Sequence, residues 1–355
     1  MEQQQTTDMS PEAQAYRQEL IAKGLDPLTA QEVVARLVRA GDLPSAQIHP
    51  VSSVQEEPVS APLTRQQQEL LRRSLNIERH VPSGDQLAFM HTDMCQVGLP
   101  RSRVEGLEFE RVCGGVGLFV RAGKTWDGQS FVQQPIPYGP MPRLVMAYLN
   151  TQALRQRSAE IEVGNSASDF MRQLGIEPSG GKRGTYTTFR NQVLALSVCH
   201  ITVGRTVGAL AYTYDGKPIK QLEAWIEPAS QHQRSLWPGV ITFSADYFQA
   251  LSEHAVPLDL RALQALRGSA LAMDLYTMLA ERLHRIEGRP IKLCWINLRE
   301  QFGQEYRGEG AERNFKRKFK EALSKVLKVY PKARVQVVAT GVMLKSSPPP
   351  VPYKE

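Results

Sequence analysis

A chain of 355 residues with 42% hydrophobic residues is long enough for two or three domains with their own cores. No window approaches 18 uninterrupted apolar residues, and the opening MEQQQTTDMSPEAQ is polar and acidic. Both features argue against a membrane span or secretion leader and predict a cytoplasmic protein. The formal net charge of +7 divides into −4 for residues 1–134, +4 for 135–239 and +7 for 240–355, a localised surplus that suits nucleic acid better than lipid.

In chain order, Pro11–Lys23 and Leu28–Arg39 read as two short helices, capped by Ser10 before Pro11 and by Gly24 and Gly41 at their ends. We take residues 1–42 as a helical N-terminal arm or small domain, and 43–62, rich in Pro, Ser and Val, as a flexible linker. Beyond it Arg65–His80 and Gln86–Val97 read as helices, and Leu107–Cys113 with Val116–Arg121 as a hairpin about Gly114-Gly115. The stretch LFVRAGKT, 118–125, imitates a phosphate-binding loop, yet it has leucine where the first glycine is needed and a turn, Trp126-Asp127-Gly128, where a helix should follow. A hairpin with a solvated Lys124 is the better reading.

From Pro140 a helix runs through Leu144, Met146 and Leu154, followed by a short strand at Glu160–Val163 and a helix through Phe170 and Leu174. A further helix at Thr185–Ser197 turns Phe189, Val193 and Leu196 inward. Ile201–Tyr214 and Leu222–Ile226, around Asp215-Gly216, then suggest a long hairpin. The last third repeats this order. Strand Val240–Phe243, helix Ala245–Leu251 and helix Arg267–Arg285 lead to strand Ile291–Cys294 and short helix Trp295–Phe302. A long helix, Arg307–Tyr330, and a hairpin, Arg334–Lys345, complete it.

Helix, strand, short helix, basic helix and hairpin is the order of a winged helix-turn-helix. The predicted fold class is therefore α+β, with two tandem winged-helix domains at 63–239 and 240–346, preceded by the helical arm and linker and followed by a Pro-rich tail at 347–355. On the last helix Phe315, Phe319, Ala322, Leu323, Val326 and Tyr330 form one apolar arc, and cations occupy the opposite side.

Asparagine and arginine can each make two hydrogen bonds to a base edge, while lysine and threonine serve phosphates well. This chemistry nominates Arg313, Asn314 and Arg317 as base readers of the last helix, with Lys318 and Lys320 toward phosphates. In the first unit Thr187, Arg190 and Asn191 are the readers, with Lys182 and Arg183 as phosphate clamps. Lys316 borders the apolar arc and is expected to snorkel.

Catalysis finds no comparable pattern. There is no nucleophile elbow, the seven histidines lack ligand spacing, and Cys95, Cys113, Cys199 and Cys294 are far apart. We therefore expect a non-enzyme without metal, cofactor or disulfide. A DNA-binding transcriptional repressor would present the same two basic helices, and a nucleotide-hydrolysing enzyme would depend on the imperfect loop at Lys124.

The blocks YGPMPRLVMAYLNTQALRQRS, EIEVGNSASDFMRQLGI, GGKRGTYTTFRNQ, GSALAMDLYTMLAERLHR, INLREQFG, FKRKFKEAL, VYPKARVQV and LKSSPPPV occur in that order between Gln86 and Val351. Together they resemble the RepA-type plasmid replication initiators. The resemblance implies binding to double-stranded origin DNA at directly repeated iterons, help in melting an AT-rich duplex, and recruitment of host DnaA and the replicative helicase in a bacterial cytoplasm. It also implies exchange between monomers that act on repeats and dimers that repress their own gene. It leaves the first sixty residues without a role.

Overall fold

Three helices, α1 (Pro11–Ala22), α2 (Pro27–Ala40) and α3 (Arg65–Arg79), build the N-terminal unit of the computed structural model. Residues 10–22, 25–40, 64–126, 129–163, 166–181, 184–207, 210–216, 219–224 and 238–352 are described. The expected linker, 43–62, lies outside them. Ala13, Leu20, Ala30, Val33, Val34 and Leu75 close a small core, and Arg36 reaches Glu78 at 3.3 Å. Thr64 starts α3 with a reciprocal cap, its hydroxyl accepting from the Gln67 amide while Gln67 accepts from the Thr64 amide. Because α3 carries Leu75 into that core, the chain divides at His80/Val81, whereas the sequence suggested a division at 62/63.

The larger unit begins with β1 (Leu87–His91) and α4 (Thr92–Gln96). A single helix was expected here. Instead the alternating LAFMH pairs antiparallel with β11 (Ala255–Asp259), Leu87 opposite Asp259 and His91 opposite Ala255. Next come β2 (Glu108–Cys113) and β3 (Val116–Arg121), the expected hairpin about Gly114, and then β4 (Lys124–Trp126) and β5 (Phe131–Gln133). Lys124 is an exposed residue of β4.

Helices α5 (Pro140–Gln156), α6 (Ala167–Gln173) and α7 (Thr185–Val198) enclose Phe170, Phe189, Val193 and Leu196, with β6 (Glu160–Glu162) between the first two. After α7 the structure departs from expectation. Strand β7 (His200–Val207) folds back on β8 (Leu210–Gly216), and these strands extend β2 and β3 into a four-stranded sheet in the order β2-β3-β7-β8. Strand β9 (Ile219–Ala224) leaves that sheet and pairs with β10 (Pro238–Phe243), which also pairs with β6. Long-range pairing thus separates two halves that periodicity had read as one hairpin.

Strand β10 also lies across the expected boundary at 239/240, so that boundary would cut a sheet. Helices α8 (Ala245–His254), α9 (Leu260–Ala265) and α10 (Ala270–Arg282) follow. Helix α9 was not anticipated, and Ser269 caps α10 three residues later than expected. The chain closes with β12 (Ile291–Cys294), α11 (Trp295–Phe302), α12 (Ala311–Val329), β13 (Val335–Val338) and β14 (Gly341–Leu344), the strands ordered β12-β14-β13. The Pro-rich segment is tied down, with Val351 buried and Pro348 accepting a 2.7 Å hydrogen bond from the Tyr330 hydroxyl.

A buried ionic network joins these parts. Arg143 of α5 donates to both oxygens of Asp274 on α10, at 2.5 and 2.9 Å, and to the carbonyls of Leu99 and Gly139 at 2.6 and 2.7 Å. Arg101 reaches Asp274 at 3.3 Å and also Glu305 beyond α11, and Arg111 of β2 meets Glu305 at 2.6 Å. Burial lowers the Arg111 pKa to about 10, which leaves it charged near neutrality. Burial alone would raise Glu305, but Arg101 and Arg111 outweigh it and hold its carboxyl below the usual range.

Removing one partner strands a buried charge, at a cost of about 3–5 kcal/mol. Asp274→Ala should therefore lower unfolding free energy by about that much in denaturant titration, whereas exposed Lys124→Ala should stay within about 0.5 kcal/mol. A depressed carboxyl stabilises the fold above its unfolded pKa and stops doing so as pH falls through its folded pKa. The stability difference between the native chain and Glu305→Gln should accordingly shrink on acidification.

Candidate nucleic-acid interface

The longest amphipathic helix, α12, is held by the face its sequence spaces three and four residues apart. Phe315, Phe319, Ala322, Leu323 and Val326 are buried. Trp295 of α11 packs edge-on against Phe315 and Phe319, with ring centroids 6.5 and 5.6 Å away, and Phe302 lies 6.0 Å from Phe319. Tyr330, just past the helix, meets Tyr276 of α10. Burying a large apolar side chain stabilises by roughly 1.5–3 kcal/mol, so this face sets the orientation of the other.

The opposite face is exposed and cationic. Arg313, Asn314, Arg317, Lys318 and Lys320 all point to solvent. Lys316 is half-buried, 2.6 Å from Glu312 and 5.7 Å over the Trp295 ring, as its position beside the apolar arc suggested. Arg317 donates to Asn314 at 2.9 Å and to Glu321 at 2.6 Å, and Lys318 donates to the other Glu321 oxygen at 3.0 Å. The hydrogen bond from Lys318, helped by Arg317, holds the Glu321 carboxyl below its ordinary value. Glu321 thus acts as an internal counterion.

Arg299, exposed on α11, completes this surface. With Gly308, Gly310, Arg313, Lys316 and Lys320 it lines an open concavity at the start of α12. Gly310 begins the helix at φ 73° without a side-chain cap, and of the first-turn amides that of Ala311 donates to the Gly308 carbonyl at 3.3 Å. Sequence reasoning missed Arg299. Its signal was the spacing of Trp295, Leu298 and Phe302, which buries one side of α11 and leaves Arg299 exposed at the border of that side.

The hairpin after α12 is anchored at its turn. The Trp295 amide and indole donate to the carbonyls of Thr340 and Ala339, both at 3.1 Å. A Cβ on Gly341 would stand 2.0 Å from the Leu293 carbonyl oxygen, so only glycine lets β14 approach β12 there.

Helix α7 presents a weaker arrangement. Asn191 is exposed and Arg190 half-buried, its Nε without a hydrogen-bond partner. The Thr187 hydroxyl donates to the Gly181 carbonyl at 3.2 Å, so base reading would require it to let go. Lys182 and Arg183 lie outside the described residues. Ser179 and Thr185 exchange hydrogen bonds across the approach to α7, which begins at Gly184 without a side-chain cap.

Residues 136–295 match the family model described as plasmid encoded RepA protein. This segment is similar to the plasmid-encoded RepA family. The matched segment runs from before α5 to the first residue of α11; it contains α7, and α12 lies beyond it. Among solved structures, a selenomethionine derivative of domains 2 and 3 of RctB has a TM-score of 0.46 and 12% identity, covering 75% of this chain and 99% of that one. Another structure of RctB domains 2 and 3 has a TM-score of 0.41 and 11% identity, covering 71% and 94%. Both are loose likenesses. No curated protein matches the chain.

Charge on α12 makes a two-sided prediction. In salt titrations with duplex DNA, Lys320→Ala should weaken binding to all sequences and reduce the log–log slope by about one, and Arg299→Ala should behave alike. Glu321→Gln should do the opposite, strengthening binding because it releases Arg317 and Lys318 and removes a carboxylate from the face. Unchanged affinity in all three would exclude this surface from DNA.

Proposed function

We propose that the protein is a replication initiator that binds plasmid origin DNA sequence-specifically through two winged-helix units, using α12 and α7 as recognition helices. The observation that carries this reading is the order α10, β12, α11, α12, β13, β14 with strands arranged β12-β14-β13, the connectivity of a winged helix, around a helix whose free face is basic. The order α5, β6, α6, α7, β9, β10 with strands β6-β10-β9 supports a second such unit, interrupted by β7 and β8.

The major groove, about 12 Å wide, admits one α-helix. With α12 inserted, Arg313, Asn314 and Arg317 on its first turns meet base edges, Arg317 exchanging Glu321 for guanine. Lys318, Lys320, Arg299 and the uncapped amides hold phosphates. In the same way Asn191, Arg190 and Thr187 of α7 read bases, with Lys182 and Arg183 toward phosphates. Two helices suit successive major grooves on one side of the duplex, about 10 bp apart, as expected of iterons. Opening of an adjacent AT-rich segment, recruitment of DnaA and the replicative helicase, and monomer–dimer exchange belong to this reading, in which the chain acts by binding and performs no catalysis.

Supercoiled DNA bearing the cognate origin separates initiation from simple repression. Permanganate-reactive thymines should appear beside the repeats when the protein is added, and Arg317→Ala should abolish them while costing about 1–3 kcal/mol in binding at the cognate site. Tight binding without melting or replication would leave a repressor.

A further inference from the structure

The described residues contain a cavity of about 470 Å³ lined from β1, α4, α5, β7, β8 and α8, with no residue of α7 or α12 in its wall. Its inner wall is apolar, formed by Met94, Met146, Ile201 and Val203. Among these side chains sits Asp93, which is only 3% exposed and whose Oδ1 has no hydrogen-bond partner. The nearest cation to Oδ1, the guanidinium of Arg205, stops 3.8 Å away, and His91 stands 3.8 Å from the other oxygen. His91 cannot serve as the missing donor through Nδ1, since that nitrogen accepts the Asp93 amide at 3.2 Å. Asp246 and Glu253 add two exposed carboxylates at the rim, where His254 lies 3.8 Å from Glu253.

A buried carboxylate lacking a hydrogen bond carries a large desolvation cost until a donor reaches it. Three carboxylates against one guanidinium also give the cavity a negative potential, which repels phosphates and favours a cation. Its volume and apolar walls are those of a site for an organic molecule. No group of three His, Cys, Asp or Glu among the described residues is arranged to hold a metal ion. We propose that this cavity binds a small organic cation, its ammonium or guanidinium directed to Asp93 and its apolar body lying against Met94, Met146, Ile201 and Val203.

The site is independent of the DNA-binding reading and can be tested without DNA. Tryptamine serves as the probe and tryptophol, its uncharged hydroxyl counterpart, as the control, each titrated calorimetrically into the full chain with melting temperature followed in parallel. Tryptamine should bind one to one and raise the melting temperature, while tryptophol should bind at least tenfold more weakly. Asp93→Asn should remove most of that preference. Because a buried substitution can disturb folding, the exposed pair Asp246→Asn with Glu253→Gln provides a second check and should weaken tryptamine by about threefold through lost long-range attraction. Absence of binding, equal affinity for tryptophol, unchanged affinity in either variant, or displacement of tryptamine by magnesium ion would each overturn the proposal.

Discussion

The pairing of Arg143 with Asp274, extended through Arg101 to Glu305 and Arg111, is the constraint on which the larger unit depends. It ties the helix that opens the first three-helix group, α5, to the helix that supports the last, α10. It also ties β2 to the loop after α11. Hydrophobic contacts tolerate small slips, whereas a buried bidentate pair does not, because a displaced guanidinium loses its carboxylate in a medium that offers no water. The network therefore holds the supports of α7 and α12 in one body.

Other connections act in the same sense. Strand β1 pairs with β11, and β10 returns to β6 and β9, so segments far apart in sequence complete each other's sheets. The strands β7 and β8 leave the first group and extend the β2–β3 hairpin. The segment matched by the family model, 136–295, accordingly lies inside a larger structural unit, Val81–Glu355.

What the sequence made legible followed from local rules. The apolar arc of α12, the Gly114 hairpin and the snorkelling of Lys316 all depend on residues within a few positions of each other, and each is found. The failures were non-local. LAFMH was read as helix because its alternation is short, and only pairing with Ala255–Asp259 decides it. Ile201–Tyr214 was read as one arm of a hairpin, although its fold is decided by β3. Arg299 was missed because it joins the basic surface in space, with eleven residues, three of them glycine, between it and α12.

Chemistry on the basic face is also less open than a helical wheel suggests. Arg317, Lys318 and Asn314 are linked through Glu321 and through each other, while Arg313, Arg299 and Lys320 are further cations along the concavity at the start of α12. On the proposed reading, DNA would have to replace one internal carboxylate before all these cations could engage, which would disfavour loose association and favour a site offering guanine to Arg317. The most direct test is hydroxyl-radical footprinting of the full chain on its own origin. The account predicts two protected patches on one side of the duplex, about one helical turn apart, and the loss of one patch when Arg313, Asn314 and Arg317 are all changed to alanine. Protection that persists unchanged in that variant would contradict it.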